Sequence, residues 1–262
     1  MTITPEKKYL VKEALKTSLT KKFETYHPET ENMPFHYRLL GKDRMALFSF
    51  IQSLNTTFGT SIYEPVAKEL AQGRFKRVQT QADPHNYISS DAQAVIQSIV
   101  DDISTTAREP DKEKELNEIR KVCSSGTLKF IKLRKIDVLV QDNNDNIFCM
   151  DIKTVKPNIG NFEDYKRMLL SWAGAEMARN PNINIQTIIA IPYNPYEPEP
   201  YNRWTMRGMF DLKKEILVAE ELWDFLGGAG AYQGLLDCFE MAGIELRPVI
   251  DDYFSSFRNH QH

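Results

Sequence analysis

The chain is poor in cysteine: Cys123, Cys149 and Cys238 are its three, set far apart with no CxxC spacing. That excludes a disulfide framework and a cysteine-ligated zinc site, and leaves buried free thiols in a reducing compartment. Long hydrophobic runs are missing too. No stretch approaches the roughly 20 apolar residues of a membrane span, and the opening MTITPEKKYLVKEALK lacks the apolar centre of a secretory signal, so the expectation is a cytoplasmic protein with no membrane partner. Internal repeats and low-complexity tracts are absent, and Gly and Pro cluster too briefly to mark an interdomain linker. Gly227-Gly228-Ala229-Gly230 is not followed by the Lys-Ser/Thr of a phosphate loop and comes after a helical pattern, so it reads as a helix-to-helix turn. Histidine chemistry is thinly supplied: His85-Asn86 stands alone, His260 and His262 sit in a tail, and no Ser or Cys has a nearby His. A charge excess is lacking as well. With a formal net charge of -3 there is no global basic field, so a nucleic-acid partner would be held by local Lys/Arg clusters and by metal ions bridging carboxylates to phosphate.

What is present is a core. The 262 residues are 42% hydrophobic and 26% charged, enough to bury the interior of one large domain over residues 1–262. Residues 1–127 read as mainly helical. A weak amphipathic helix fits residues 5–23, a core-packed helix fits 45–54, and Thr60-Ser61 would cap a helix over 62–71 that sets Tyr63, Val66, Ala67 and Leu70 three and four apart. Two more helical segments, about 91–104 and 111–122, precede a change of period. From Leu128 the pattern becomes strand-like: residues 136–140 (IDVLV) and 147–153 (IFCMDIK) flank the turn cluster QDNNDN, a hairpin. An amphipathic helix follows over 161–179, then a buried strand over 186–191 stopped by Pro192. The order hairpin, helix, strand makes 128–191 an α/β core whose last strand can lie parallel to its neighbour through a crossover helix. Residues 192–262 open with PYNPYEPEPYNRWTMRGM, too rich in Pro and aromatics for regular structure, and continue in helices around 211–226 and 232–241. Such an irregular segment in a compact domain is more often functional than idle.

Three residues carry the chemistry. Asp137 stands early in the first hairpin strand, while Asp151 and Lys153 close the second with Ile152 between them. A period of two turns Asp151 and Lys153 to one face and Ile152 to the other, and a short turn brings Asp137 alongside. Phosphodiester hydrolysis needs such a set: carboxylate oxygens to hold Mg2+ and a cation near the attacking water or the scissile phosphate. Hard oxygen donors favour Mg2+ over zinc, and Cys149, on the face of Asp151, reads as a neighbour of the site rather than a ligand. The same acid-any-Lys triplet recurs at Glu6-Lys7-Lys8, Asp164-Tyr165-Lys166 and Asp211-Leu212-Lys213, but in helical or terminal context, where residues two apart face different directions. The competing reading of residues 151–153 is an exposed hairpin edge whose charges guard against aggregation.

The order Asp137, hairpin, Asp151-Ile152-Lys153, amphipathic helix, strand resembles the PD-(D/E)XK nuclease core. DIKTVKPNIGNFEDYKRMLLSW together with IPYNPYEPEPYNRWTMRGM is similar to a family of type II restriction endonucleases, over about residues 135–250 with weaker similarity around 61–71. The resemblance implies an α/β restriction-endonuclease-like core, a mixed central sheet flanked by helices with added N- and C-terminal helices. It also implies an Mg2+-dependent homodimer that cuts double-stranded DNA at a short specific sequence, GGNCC in the relatives concerned. Residue 136 is Ile where the motif's name has Pro, a position that varies widely in the family. A non-restriction nuclease of the same kind, acting in repair, on DNA structures or on RNA, and a DNA-binding module without catalysis are the alternatives.

Around this core, Glu64 would add a third carboxylate, as a helical Glu does in nucleases that look similar, or simply favour the dipole of its helix. Lys156, Asn158 and Asn161 follow the catalytic strand, where Gly160 and the coming helix N-terminus offer donors to a phosphate, or form a plain loop. Arg74, Lys76 and Arg77 are the densest basic cluster, fit to track a DNA backbone or to solvate a helix end. Arg203 and Arg207 would each read a guanine through two hydrogen bonds, two per subunit matching two guanines per half-site of GGNCC, or would pair with Glu197, Glu199 or Asp211 and brace the loop.

Overall fold

The computed structural model describes residues 3–26, 33–153, 157–202 and 206–258. Its helices are α1 (Pro5–Thr25), α2 (Pro34–Leu40), α3 (Lys42–Thr57), α4 (Glu64–Ala71), α5 (Ser90–Ser104), α6 (Lys112–Val122), α7 (Phe162–Arg179), α8 (Glu220–Gly227) and α9 (Ala231–Arg258). Its strands are β1 (Arg77–Ala82), β2 (Tyr87–Ser89), β3 (Leu128–Phe130), β4 (Ile136–Gln141), β5 (Ile147–Ile152), β6 (Ile185–Ile191) and β7 (Ile216–Val218). No helix among the described residues is long and apolar enough to cross a membrane. The chain forms two compact units, one of Met1–Leu70 with Gly228–His262, the other of Ala71–Gly227.

The first unit is helical. Helices α1 and α9 run side by side in the same direction, burying Val11 and Leu15 from one and Leu235, Cys238, Ala242 and Leu246 from the other. Ion pairs Lys8–Asp237, Lys12–Glu245 and Lys16–Glu245, 2.6–2.8 Å long, fix the register along the seam. The N-terminal helix thus extends slightly past the expected 5–23, and the expected 232–241 helix is the start of a much longer one that continues through Pro248. No helix starts at Thr60-Ser61. Residues Phe58–Tyr63 make a π-helical turn that joins α3 to α4 without a break, so no free helix start exists there to be capped.

The second unit is a five-stranded mixed sheet in the order β1-β4-β5-β6-β7. Strands β1, β4 and β5 are antiparallel neighbours, and β5, β6 and β7 are parallel. Helix α7 is the crossover between β5 and β6, as the hairpin-helix-strand order requires. Leu139 faces Cys149 and Cys149 faces Thr187 across the central strands, so these three share one side of the sheet. Lys112 of α6 and Lys166 of α7 reach that side, while on the other side Phe148 meets Phe225 of α8 edge to face with ring centroids 5.0 Å apart. The helices α5, α6 and α7 pack on one another. Gly174 in α7 lets β2 come close, since a Cβ there would lie 2.8 Å from the Ile88 side chain. The mixed sheet flanked by helices agrees with the fold expected from sequence.

One element differs. The expected helix over 211–226 is a turn, the short strand β7 and only then α8. Glu215 is drawn fully inside to meet two buried lysines, and the β-branched Ile216 and Val218 then complete the sheet beside β6. Two short strands, β1 and β2, were not expected: β1 alternates half-buried and exposed residues, and β2 holds three residues, too few for a period to show, whereas β3 opens at Leu128, where the strand-like pattern begins.

Candidate active site

The site grows from the row where three antiparallel strands meet. The β4–β5 ladder ends at Val138 opposite Met150, and one further step in that register sets Asp137 opposite Asp151. Likewise Thr80 faces Val138 and Ala82 faces Ile136, so Gln81 of β1 stands opposite Asp137. Directly opposed residues on antiparallel strands project from the same face with Cβ atoms roughly 4.5–5.5 Å apart. Here the β4–β5 backbone ladder gives way to a side-chain bond, Ile152 N–H donating to Asp137 Oδ2 at 2.8 Å, while on the other edge Lys153 N–H continues the ladder to Ala190 O of β6 at 2.9 Å. Gln81, with φ at 50°, donates its amide to Asp137 Oδ1 at 3.4 Å.

Lys153 folds back on the same row. Its Nζ lies 2.7 Å from both oxygens of Asp151, hydrogen-bonded to Oδ1, and 4.9 Å from the centre of the Tyr165 ring in α7. The lysine is thus held by a carboxylate and an aromatic face together. Asp151 is 4% exposed, and its Oδ2, although close to the ammonium, makes no hydrogen bond. Burial raises the Asp151 carboxyl to about 6, with Lys153 and Arg134 pulling against that rise and the charge of Asp137 adding to it. Asp137 is raised too, chiefly by burial, with the Ile152 N–H and Lys153 opposing. Two partly desolvated carboxylates side by side are hard oxygen donors whose chemistry fits a hard divalent cation, Asp137 and Asp151 being the residues that would hold it. Among the described residues no group of three or more His, Cys, Asp or Glu side chains forms a complete metal cage, so solvent or substrate oxygens would fill the remaining positions.

The other sequence candidates fall as follows. Cys149 is fully buried beneath the site, its thiol pushed well above the ordinary range by burial. Glu64 opens α4 in the helical unit and is buried. Asn158 spends its side chain locally, accepting from Gly160 N–H at 3.1 Å ahead of α7. Arg74, Lys76 and Arg77 do not form a solvated helix end alone: Arg74 donates to Phe225 O, Lys76 pairs with Asp145 at 2.7 Å, and Arg77 opens β1 and bonds Gln79. Arg77 and Gln81 are four residues apart on β1, so this cluster sits roughly 13 Å along the sheet from the carboxylate row. Arg207 is exposed and forms no ion pair among the described residues. Lys156 and Arg203 lie outside the described residues.

Sequence reasoning missed Gln81, Tyr165 as a partner of Lys153, and Arg134. It also missed a fully buried ionic quartet on the same face of the sheet. Lys112 Nζ donates to Thr187 Oγ1 (2.7 Å) and Glu215 Oε1 (2.8 Å), and Lys166 Nζ lies 2.6 Å from Glu215 Oε2 and 2.7 Å from Glu115 Oε2. Two cations and two anions cancel, which is what lets all four be buried. Asp111 N–H and Asp211 N–H supply further bonds to the two glutamates, tying α6, α7, β6 and the turn before β7 into one block behind the row.

A family model for the type II restriction endonuclease HinfI matches residues 4–243. Over 238 aligned residues the chain is 30% identical to the type II restriction enzyme MjaII of Methanocaldococcus jannaschii, covering 80% of this chain and 63% of that one. It spans, then, a little under two thirds of that relative's length. The family match takes in both the helical unit and the sheet with its carboxylate row, and on it the chain belongs to the HinfI family of type II restriction endonucleases.

Proposed function

We propose that this chain is a site-specific endonuclease of the PD-(D/E)XK kind, hydrolysing phosphodiester bonds of double-stranded DNA with Mg2+. The observation that carries the reading is the row itself: Asp137 opposite Asp151, with Lys153 Nζ 2.7 Å from both oxygens of the buried Asp151. Asp137 and Asp151 would hold the metal, which when bound polarises the scissile phosphate and neutralises charge on the leaving oxygen. Lys153 brings a positive charge to where negative charge gathers on the phosphorane and orients the attacking water. Tyr165 and Asp151 keep its ammonium from swinging into solvent.

Lys156, Asn158, Arg74, Lys76 and Arg77 are proposed as phosphate contacts. Arg203 and Arg207 are proposed to read guanines; Arg207, exposed and without an ion pair among the described residues, has its guanidinium available. Two copies related by a two-fold axis would present these arginines to the two halves of a palindromic target, with GGNCC the candidate. Digestion of an unmethylated phage genome with Mg2+, followed by sequencing of the fragment ends, tests the reading. Discrete fragments with one shared end sequence support it, GGNCC at the ends supports the finer target, and a smear or uncut DNA overturns site-specific cleavage.

A further inference from the structure

Residues 128–135, Leu-Lys-Phe-Ile-Lys-Leu-Arg-Lys, lead straight into β4 and Asp137. Between Glu118 and Asp137 the sequence contains no acidic residue, in a chain whose net charge is -3. Lys129, Lys132 and Arg134 are all exposed, and among the described residues none of them forms an ion pair. Between them stand large exposed apolar groups: Leu128 is 57% and Phe130 63% exposed, and Tyr87, opposite Phe130 on β2, is 48% exposed with its ring edge-on to it at 5.6 Å.

The segment is built rather than loose. It pairs with β2 from Ser89 opposite Leu128 to Tyr87 opposite Phe130, and Ile131 N–H and Leu133 N–H both bond Asn86, at 2.8 and 3.1 Å. Arg134 O accepts from the buried Trp172 indole at 2.9 Å. The strap is fixed firmly, yet its three cations form no ion pair among the described residues and its rings at Tyr87 and Phe130 are about half or more exposed. It also runs directly into the catalytic strand, Arg134 standing three residues before Asp137.

We infer that this strap holds the phosphodiester backbone of the duplex beside the scissile bond: Lys129, Lys132 and Arg134 each meet a phosphate while Tyr87 and Phe130 pack on the intervening sugars. The inference rests on the nuclease reading and adds a DNA-contacting surface to it. Spacings of three and two residues put the three cations roughly 10 and 7 Å apart along an extended chain. A duplex offers one phosphate charge per about 1.7 Å of its axis, so each cation finds its own. Such contacts carry no sequence information and position the scissile bond over Asp137 and Asp151.

The test is the salt dependence of binding to a fluorescein-labelled duplex of random sequence, followed by anisotropy in EDTA so that no cleavage occurs. Loss of two phosphate contacts in the Lys129→Ala/Lys132→Ala double variant makes the slope of log K against log salt shallower by about 1.8, at about 0.9 per contact. The Lys129→Arg/Lys132→Arg variant keeps the wild-type slope, and Phe130→Ala weakens binding with the slope unchanged. Thermal melting confirms that each variant is folded. A wild-type slope in a folded Lys129→Ala/Lys132→Ala protein overturns the strap while leaving the nuclease reading in place. A wild-type protein that binds no duplex at low salt overturns both.

Discussion

Replacing Asp151 with Asn is predicted to stabilise the metal-free protein while abolishing its activity. The magnitude follows from the burial of the carboxyl, which rises from an ordinary 3.8 to about 6 in the folded chain. Because the folded state then binds the proton more tightly than the unfolded state, stability falls as pH climbs from about 4 to about 6, and the cost is fully present above that. Roughly two pH units at about 1.4 kcal/mol each amount to ~3 kcal/mol at neutral pH. Asn mimics the protonated, uncharged acid and escapes that cost. For a chain of this size ~3 kcal/mol is roughly 6–12 °C in Tm. The assay is thermal unfolding in EDTA at pH 7.5 and at pH 4.5: the variant melts higher than wild type at pH 7.5, and the gap closes at pH 4.5, where wild-type Asp151 is itself protonated. An Asn variant that melts below wild type at pH 7.5 would mean that the Lys153 pair, not burial, governs this carboxyl, and the reasoning would fail.

The other predictions are more compact. Mg2+ affinity, measured by calorimetry, drops about tenfold for each pH unit below about 6, because ligation requires the Asp151 proton to leave; affinity flat across that range contradicts the ligand assignment. Glu215→Gln leaves two buried lysines facing Glu115 alone and costs about 3–5 kcal/mol in denaturant unfolding. Adding Lys112→Met restores neutrality and returns part of that loss; strict additivity of the two would deny the quartet its coupling. Gly174→Val drives a side chain into Ile88 and costs about 1–3 kcal/mol, whereas an unchanged melt would mean that α7 and β2 shift apart freely.

The parts of the fold legible in the sequence are those with a clear period. IDVLV and IFCMDIK alternate around a turn-rich QDNNDN, and they are β4 and β5 to within a residue; α7 begins one residue later than its pattern suggested and ends at the same Arg179. Asp137 and Asp151 could be set side by side from that period alone, because a two-residue repeat and a short turn fix the register. What stayed hidden depends on contacts distant in sequence. Residues 211–218 look helical by composition, and only the pull of Lys112 and Lys166 on Glu215, 103 and 49 residues away, turns them into a tight turn and a parallel strand. Strand β1 buries little of itself and takes its shape from β4, so its own residues carry a weak signal. Tyr165 was legible as apolar surface of α7 but not as the face that holds Lys153, since only the folded helix brings the ring over the ammonium. The basic run at 128–135 was visible as letters, yet its meaning depends on pairing with Tyr87 and on the outward turn of its side chains.

Single-turnover cleavage of a plasmid with Mg2+, comparing wild type with folded Lys153→Ala, tests the central claim most directly. The account predicts a rate at least about 100-fold lower once the charge beside the phosphate is gone. A variant that cuts within a few-fold of wild type would show that Lys153 and the carboxylate row it serves are not where the phosphodiester bond is broken.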